Sequence, residues 1–565
     1  MRETGTMHAT HLVIGGGSAG CVMAARLSEA PANKVILLEA GPDYPPDRTP
    51  DDLRDTYSGS ALMNPGYFWK NLKVRRNADA VPVYYEQGRV MGGGSSVNGQ
   101  VALRGAPEDY DHWSDLGAKG WDWNAVLPYF RRLETDLDYT DQLHGAQGPI
   151  TIRRMPMEQW DDFTLSVTKV WNELGHPLRP DMNGEFGEGY SPLPLSNDGE
   201  ARRSTSVGYL DAAARARENL QVFGDTQVRR ILFADGKATG AEVRRNGQIE
   251  TIIADTVVVC AGALHTPWLL MLSGIGPAAH LRHHGIDVRI DLPGVGGNLM
   301  DHPAIHISGY LPPVARHKMV LRRNYTYLRW SSGLPDVPKA DMVMMAVCRS
   351  AWHAIGVRIG TLSSYIGRSY STGEVRLTSP DPNDEPYVNF NWLSDPRDMD
   401  RMVQAFRRMA RILRTDPVPA YMSNLFASKF SARVRAIGQK TTKNAILTNV
   451  AAMMMDNSAT LRNYLFDKVI SDCPPLDDLL ADQAMLERHV RDNVQSAWHP
   501  SCTCRMGDRN DQGAVVDPKG RLLGAENLFV ADASVMPEVS RTNTNIPTIM
   551  IAERISEIVR QRERA

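Results

Sequence analysis

His11–Ala30 reads HLVIGGGSAGCVMAARLSEA, an apolar run that ends in three consecutive glycines and continues with the apolar spacing of a helix. Gly15, Gly17 and Gly20 give G-x-G-x-x-G directly after a strand. Each glycine answers a separate constraint. Gly15 permits the tight turn, Gly17 lets the backbone approach a pyrophosphate, and Gly20 lets the helix pack close to the sheet. Ser18 and Ala19 complete the turn at a helix N-terminus whose first N–H groups have no intrahelical partner. A second apolar run, KVILLE, ends on Glu39, 19 residues after Gly20. A carboxylate there accepts bonds from ribose hydroxyls and repels a 2′-phosphate, so the expected ligand is FAD or NAD and not NADP.

Two more apolar strands run into small or acidic residues far along the chain: TVVVCAGA from Thr256 and NLFVADAS from Asn527. Near-continuous apolar strands suit a parallel sheet covered on both faces, with a ligand at the carboxyl ends. The fold class expected is α/β plus α+β: a Rossmann-like nucleotide-binding domain of discontinuous segments with an inserted α+β domain. The inserted part mixes turn signals, a strand and a helix, as in SPDPNDEPYVNFNWLSDPRDMDRM from Ser379 followed by QAFRRMARIL. The expected division is 8–155, 200–310 and 495–565 for the nucleotide-binding domain, and 156–199 and 311–494 for the substrate-binding domain.

The 565 residues are 42% hydrophobic and 23% charged, with a net charge of −2, which excludes a mainly disordered chain and gives no field to draw nucleic acid. Six scattered cysteines are too few for a disulfide scaffold and suggest free thiols in a reducing compartment. MRETGTMHAT lacks the apolar core of a signal peptide, and no stretch reaches the ~18 apolar residues of a membrane span. A cytoplasmic protein without a transmembrane segment is expected. The Met-rich run Ala445–Met455 carries Thr448 and Asn449 and is expected to be a core or lid helix.

A second glycine cluster, GRVMGGGSSVN (Gly88–Asn98), offers consecutive backbone N–H groups for a pyrophosphate or a flavin ring. GALHTPWLLMLSGIG (Gly262–Gly276), GVGGNLMDHP (Gly294–Pro303), AWHPSCTCRMG (Ala497–Gly507) and VADASVMPEVSRTNTNIPTIMIAE (Val530–Glu553) follow in order. With these motifs the whole chain resembles the glucose–methanol–choline (GMC) oxidoreductases, FAD enzymes that oxidise alcohols. YEQGR, GWDWNAVLPYF and the Trp498–His499 pair are most similar to its bacterial 5-hydroxymethylfurfural oxidase branch, while HPSCTCRMG also resembles choline dehydrogenases.

The resemblance implies an FAD site made by Gly15, Gly17, Ser18, Ala19, Gly20 and Glu39, by Arg89, Gly93, Ser95, Ser96 and Asn98, and by Val228, Trp498, Asp532, Ala533 and Thr544. Val228 stands for a backbone contact to adenine and Asp532 for the acid near the ribityl or phosphate. Where some relatives bond a histidine to the flavin, this chain has Val97, so the FAD is expected to be non-covalent.

Forming alkoxide character from a primary alcohol at neutral pH needs a positioned base. Of 15 histidines, His499 in SAWHPSC matches the family's base. Asn543, 44 residues later, matches the partner that donates to the substrate oxygen, and Asn545 of the same NTN is assigned to backbone or flavin. The implied reaction moves the hydroxyl proton toward His499 and hydride to flavin N5, giving an aldehyde, and proceeds onward through the aldehyde hydrate. The expected substrate is a furanic or benzylic primary alcohol, and the electron acceptor oxygen or a quinone. Choline or aliphatic alcohol oxidation is the alternative within the family; a hydroxynitrile lyase is the alternative of another class. Phe68, Trp69, Tyr84, Tyr85 and Trp498 are candidates for an aromatic pocket. Cys502-x-Cys504 is one residue short of C-x-x-C and has no second pair, so no metal is expected.

Overall fold

The computed structural model describes residues 7–316 and 324–562. The start of the MRETGTMHAT segment and the stretches 317–323 and 563–565 of the two expected domains lie outside the described residues.

Met7–Ile14 lies between two parallel neighbours, Val35–Leu38 and Gln248–Val259. Leu220–Phe223 extends the sheet beyond the first, and Leu528–Val530 pairs in parallel with the end of the second. Lys237–Arg245 and Thr226–Ala234 continue it as antiparallel strands. The long strand Gln248–Val259 shows why its two ends read differently. Its first part lies in the antiparallel hairpin and mixes exposed with buried residues, whereas Val257, Val258 and Val259 sit in the parallel part and are fully buried. The first helix, Ser18–Leu27, packs beside the C-terminal helix Asn545–Arg562, and the Arg26 guanidinium donates to Glu553 at 2.7–3.0 Å. Gly20 makes the close helix packing possible, because a Cβ there would lie 1.8 Å from the Gly15 carbonyl oxygen.

The second sheet is antiparallel, in the order Ser423–Ser428, Pro303–Tyr310, Ile359–Ile366, Met342–Val347, Thr326–Trp330 and Gly189–Pro192. Its core face joins Ile305, Ile307, Leu362 and Met344 to Met402 and Phe406 of the helix Pro396–Leu413. That helix is amphipathic. It starts at Asp395, whose carboxylate accepts from the Arg397 N–H at 2.9 Å, with Pro396 at its first position, where no N–H is needed. Pro303–Tyr310 was expected in the first domain. Its hydrogen bonds lie in the second sheet, so we place the division before Pro303.

The Met-rich segment departs from one of its two expected roles, core and lid. It lies in the helix Thr442–Asn457, where Ile446, Leu447, Val450, Met453 and Met454 are exposed and only Thr448, Ala452 and Met455 are buried. It is a surface helix and not a core one. Its apolar residues run around the axis, and the strip carrying Met455 packs against Tyr310 and Phe466.

Glu134, Asp136 and His144 bring ligand-type atoms within 4.8 Å of one another. They belong to a charge cluster and not to a metal cage, because Arg104 bonds Glu134, and Arg154 donates to Asp136 at 2.9 Å and to Asp181 at 2.7 Å. His144 lies 3.1 Å from Asp136 and 3.0 Å from Asp181. Burial lowers the His144 pKa, but its bonds to Asp136, Asp181 and Glu134 outweigh that and push it up to about 10. A folded value above the ordinary ~6.5 means the stabilisation is complete below that pH and is lost as pH rises through about 10. His144→Gln is therefore expected to lower Tm at pH 6 and to flatten the fall in Tm between pH 7 and 10, followed by thermal unfolding across that range. An unaltered slope would refute the assignment.

Candidate active site

The carboxyl ends of the parallel strands converge on one cavity of about 630 Å³. Met7–Ile14 delivers Gly15, Val35–Leu38 delivers Glu39, Gln248–Val259 delivers Cys260 and Gly262, and Leu528–Val530 delivers Asp532. Gly15 has φ +97°, and a Cβ there would lie 2.5 Å from the Cys260 carbonyl oxygen. Gly93, at φ +50°, would place a Cβ 2.8 Å from the Gly17 Cα. The two glycine loops thus meet backbone to backbone, with Gly94 facing open space. That leaves a concave strip bordered by main chain, as an anionic pyrophosphate requires.

At one end, Glu39 accepts from the Gly16 and Gly41 N–H groups, both at 2.8 Å, and burial raises its pKa. Each carboxylate oxygen has a further lone pair, and Val228 borders the same cavity. Asp532 accepts from Gly262 N at 2.8 Å, Thr266 Oγ1 at 2.6 Å and Ser534 N at 2.8 Å; burial raises its pKa too. Ala19, Asn98, Ala533 and Thr544 also line the cavity, as does Ser18, whose hydroxyl donates to Asn545 Oδ1 at 2.8 Å.

Four residues of the expected cofactor site do not line the cavity: Gly20, Arg89, Ser95 and Ser96. Gly20 serves helix packing. Ser95 Oγ bonds the Gly92 carbonyl at 2.6 Å and Thr205 at 3.0 Å, and Ser96 Oγ donates to the Met91 carbonyl at 2.7 Å, so both hydroxyls hold the glycine loop in shape. Arg89 turns to the face of Trp69, 5.2 Å from the ring centroid. Of the aromatic candidates, Phe68, Trp69 and Trp498 line the cavity; Tyr84 and Tyr85 do not, and Tyr85 Oη bonds Ser496 at 3.1 Å. Cys502 and Cys504 are fully buried in the first core with burial raising both thiol pKa values, so they pack as small apolar residues.

His499 and Asn543, separated by 44 residues, meet at 3.0 Å between His499 Nε2 and Asn543 Nδ2. Three segments orient them. Trp498 adopts φ +60°, a left-handed conformation costing of order 1–3 kcal/mol for a bulky residue, and its N–H donates to Ser496 Oγ at 2.7 Å. The next N–H, that of His499, donates to Asp301 Oδ1 at 2.9 Å. His302 then decides which imidazole nitrogen carries the proton. His302 Nε2 lies 3.1 Å from the Ser540 carbonyl, which only accepts, so Nε2 is protonated. Burial pushes the His302 pKa down to about 4, which keeps the ring neutral and makes Nδ1 an acceptor. His499 Nδ1, 2.8 Å away, must therefore donate to it, and the lone pair of His499 falls on Nε2, facing Asn543. Tyr365 stacks on His302 at 5.3 Å and donates to Asn543 Oδ1 at 3.4 Å, which turns the amide NH₂ toward His499. Burial, then the neighbouring His302, lower the His499 pKa well below the ordinary value.

His302, Tyr365 and Asp301 were not singled out from the sequence. His302 stands inside the motif GVGGNLMDHP, but nothing in its local pattern says that it bonds a residue 197 positions away. Of the two asparagines, Asn543 faces His499 and Asn545 faces Ser18.

Family models described as GMC oxidoreductase match residues 9–304 and 369–552. The chain is 38% identical to the 5-(hydroxymethyl)furfural oxidase of Methylovorus sp. (strain MP688), covering 97% of this chain and 98% of that protein. It is 32% identical to the mitochondrial choline dehydrogenase of Homo sapiens, covering 98% and 89%. Among solved structures it is similar to pyridoxine 4-oxidase from Mesorbium loti, with TM-score 0.79, 26% identity and coverage of 98% and 99%.

Proposed function

The chain belongs to the GMC oxidoreductases, as an FAD-dependent enzyme of the alcohol oxidase and dehydrogenase type, and on that premise we propose that it oxidises a furanic or benzylic primary alcohol to the aldehyde, and onward through the aldehyde hydrate, with His499 as base. The observation that carries this reading is the tautomer chain from Ser540 through His302 to His499, which leaves an unprotonated Nε2 beside an amide donor.

The residues present fit FAD. The facing main chain of Gly17 and Gly93 would be filled by a side chain at Gly93, and Glu39 and Val228 border the end where an adenosine would lie. Gly15, Gly17, Ser18 and Gly93 would hold the pyrophosphate, and Asn98, Trp498, Asp532, Ala533 and Thr544 the flavin half. When bound, FAD supplies the hydride acceptor. The chain's own residues do the rest. His499 Nε2 takes the hydroxyl proton, and Asn543 Nδ2–H donates to the oxygen as it gains charge, without itself titrating. Tyr365 holds the amide in place. His302 retains its proton toward Ser540 and so fixes the His499 ring. Oxygen or a quinone takes the electrons onward. All six cysteines are thiols and five of them are buried, which supports placement in the cytoplasm.

The furanic or benzylic class is favoured over choline by the fate of the carboxylates lining the cavity. Glu39 is engaged by glycine N–H groups, Glu86 by Arg435 and by Trp498 Nε1, Asp472 by Lys429, and Asp532 by Gly262 and Thr266. A quaternary ammonium would need a carboxylate or an aromatic cage of its own. Phe68, Trp69 and Trp498 provide apolar walls that suit a rigid ring.

His499→Ala is expected to slow flavin reduction by about 10² to 10⁴ while FAD stays bound, and Asn543→Ala by about 10². Because the His499 pKa lies below the ordinary histidine value, the acid limb of kcat/KM for the wild type should fall below pH ~6.5. Stopped-flow reduction under anaerobic conditions measures both, and near-normal reduction by the His499 variant would remove it as base. Cyanide release from a cyanohydrin with an unchanged flavin spectrum would instead indicate a lyase.

Val97, buried against Phe68 and Val90, cannot form a bond to the flavin. Acid precipitation is expected to release free FAD into the supernatant, and yellow colour retained in the pellet would contradict this.

For the substrate class, the deciding quantity is kcat/KM for furfuryl and benzyl alcohols against choline and long alkanols with one common acceptor. The arylmethanols should lead, and an advantage for choline or an alkanol over every arylmethanol tested would defeat the reading.

A further inference from the structure

Exposed apolar side chains are gathered in one corner of this molecule. Of the 16 large apolar residues exposed among the described residues, nine lie between Val434 and Val469, in four consecutive helical segments. Single exposed apolar residues are ordinary on a protein surface, whereas a contiguous group marks a surface made to be covered.

The helix Thr442–Asn457 is the centre of this group and is about 24 Å long at 1.5 Å per residue. Thr448, Ala452 and Met455 face the protein. Ile446, Leu447, Val450, Met453 and Met454 recur at i, i+1, i+4, i+7 and i+8, a single stripe on the opposite side. A helix lying on a protein in water turns polar residues outward; this one turns out an apolar stripe, with Met453 65% exposed. Its neighbours continue the surface. Asn444 Nδ2 donates to the Ala436 carbonyl at 2.8 Å, tying on the helix Ala432–Gly438 with exposed Val434. Arg433 donates to the Ile470 carbonyl at 3.1 Å, which joins that helix to Phe466–Ile470 with exposed Val469. Arg433, Val434, Ile437, Val469 and Ile470 also line the cavity, so this corner forms part of its rim.

The charge of the corner says what covers it. Residues 432–469 carry six cations and two acids in a chain whose net charge is −2. Arg433, Lys440, Lys443 and Lys468 are exposed and form no ion pair among the described residues. Of the acids, Asp456 is held by Arg316 at 2.8 Å and by Arg358 at 2.6 Å, and Asp467 is exposed beside Lys468. A second copy docking through the same face would set these cations against their own counterparts. Lysines are also depleted from protein–protein interfaces. Lysines beside an outward Ile, Leu and Met stripe suit a helix lying in the surface of an anionic bilayer, where the apolar side chains sink to the acyl boundary and the ammonium groups stay among the headgroups. No helix among the described residues is long and apolar enough to cross a membrane, so the contact is with its surface.

We infer that the helix Thr442–Asn457 and its neighbours dock the enzyme on an anionic lipid bilayer, with the stripe Ile446–Leu447–Val450–Met453–Met454 in the interface and the rim of the cavity against the membrane. Small apolar molecules dissolved in the lipid then reach the cavity without passing through bulk water.

The test is co-sedimentation of the holoenzyme with large vesicles of phosphatidylcholine alone and of phosphatidylcholine with about one third phosphatidylglycerol. Binding should be strong only to the anionic vesicles and should weaken as salt is raised. At about fivefold per cation near an anionic surface, Lys440→Glu with Lys443→Glu should lower the partition coefficient by about 25-fold or more. Ile446→Ser, Val450→Ser and Met453→Ser together should lower it by about tenfold or more, since the apolar anchor is lost. These residues do not line the cavity, so FAD content and the rate on a dissolved alcohol should remain those of the wild type and report that each variant has folded. No binding to anionic vesicles, equal binding to neutral ones, or a partition coefficient unchanged by both sets of substitutions would overturn the docking surface. A dimer in sedimentation velocity that the triple serine variant dissociates, without vesicle binding by the wild type, would assign the stripe to a second copy and equally overturn it. Vesicle binding needs no substrate, so these outcomes leave the alcohol-oxidising reading standing.

Discussion

An imidazole serves as a base through Nε2 only when its other nitrogen holds the proton, and that constraint organises the centre of this molecule. The bond from His499 Nδ1 to His302 Nδ1 meets it, provided His302 is neutral and its own proton points away. Burial provides the first condition, and the Ser540 carbonyl the second. Three segments distant in the chain are therefore locked together: the loop ending at His302, the turn at Trp498–His499 and the stretch Ser540–Asn543. The left-handed Trp498 is a strained residue at the place where this arrangement demands an exact chain direction.

The two sheets divide the remaining work according to how they are buried. In the parallel part of the first sheet the strands are buried and apolar toward their carboxyl ends, as at Leu12, Val13 and Ile14, at Val35–Leu38, at Val257, Val258 and Val259 and at Leu528–Val530, so only those ends are chemically available. It contributes turns, backbone N–H groups and two buried carboxylates. The antiparallel sheet packs one face on the helix Pro396–Leu413 and turns the other toward the cavity, so every second residue is available to meet a ligand. An end of the cavity made of main chain thus faces a wall made of side chains. A parallel sheet with both faces buried could not supply such a wall.

The buried charge cluster around His144 belongs to the scaffold and not to the chemistry. Arg104, Arg154 and His144 balance Glu134, Asp136 and Asp181, so each buried carboxylate has a charged partner. The spacing of these residues resembles a ligand set, but arginines already pair with its carboxylates.

Much of the architecture was legible in the sequence because it depends on local rules. Gly15, Gly17 and Gly20 after an apolar strand, with Glu39 at the end of the next, specify a turn, a helix and a dinucleotide end within one short stretch, and the pairing of His499 with Asn543 followed from motif and count. Other features could not be read that way. Ser95 and Ser96 are expected at the cofactor from the motif that carries them, yet Thr205 and the Met91 carbonyl engage their hydroxyls. The apolar run in the helix Thr442–Asn457 reads as core or lid, and packing covers only one strip of it, which removes the core reading. Pro303–Tyr310 reads as the end of one domain and pairs in the other because register is a relation between strands. The sequence by itself determined the fold class, the family and the nucleotide turn, since each rests on residues near one another or on a recognisable motif. Only the tertiary structure decided which nitrogen of His499 is free and which side chains of the antiparallel sheet line the cavity, because both depend on contacts between residues far apart in the chain.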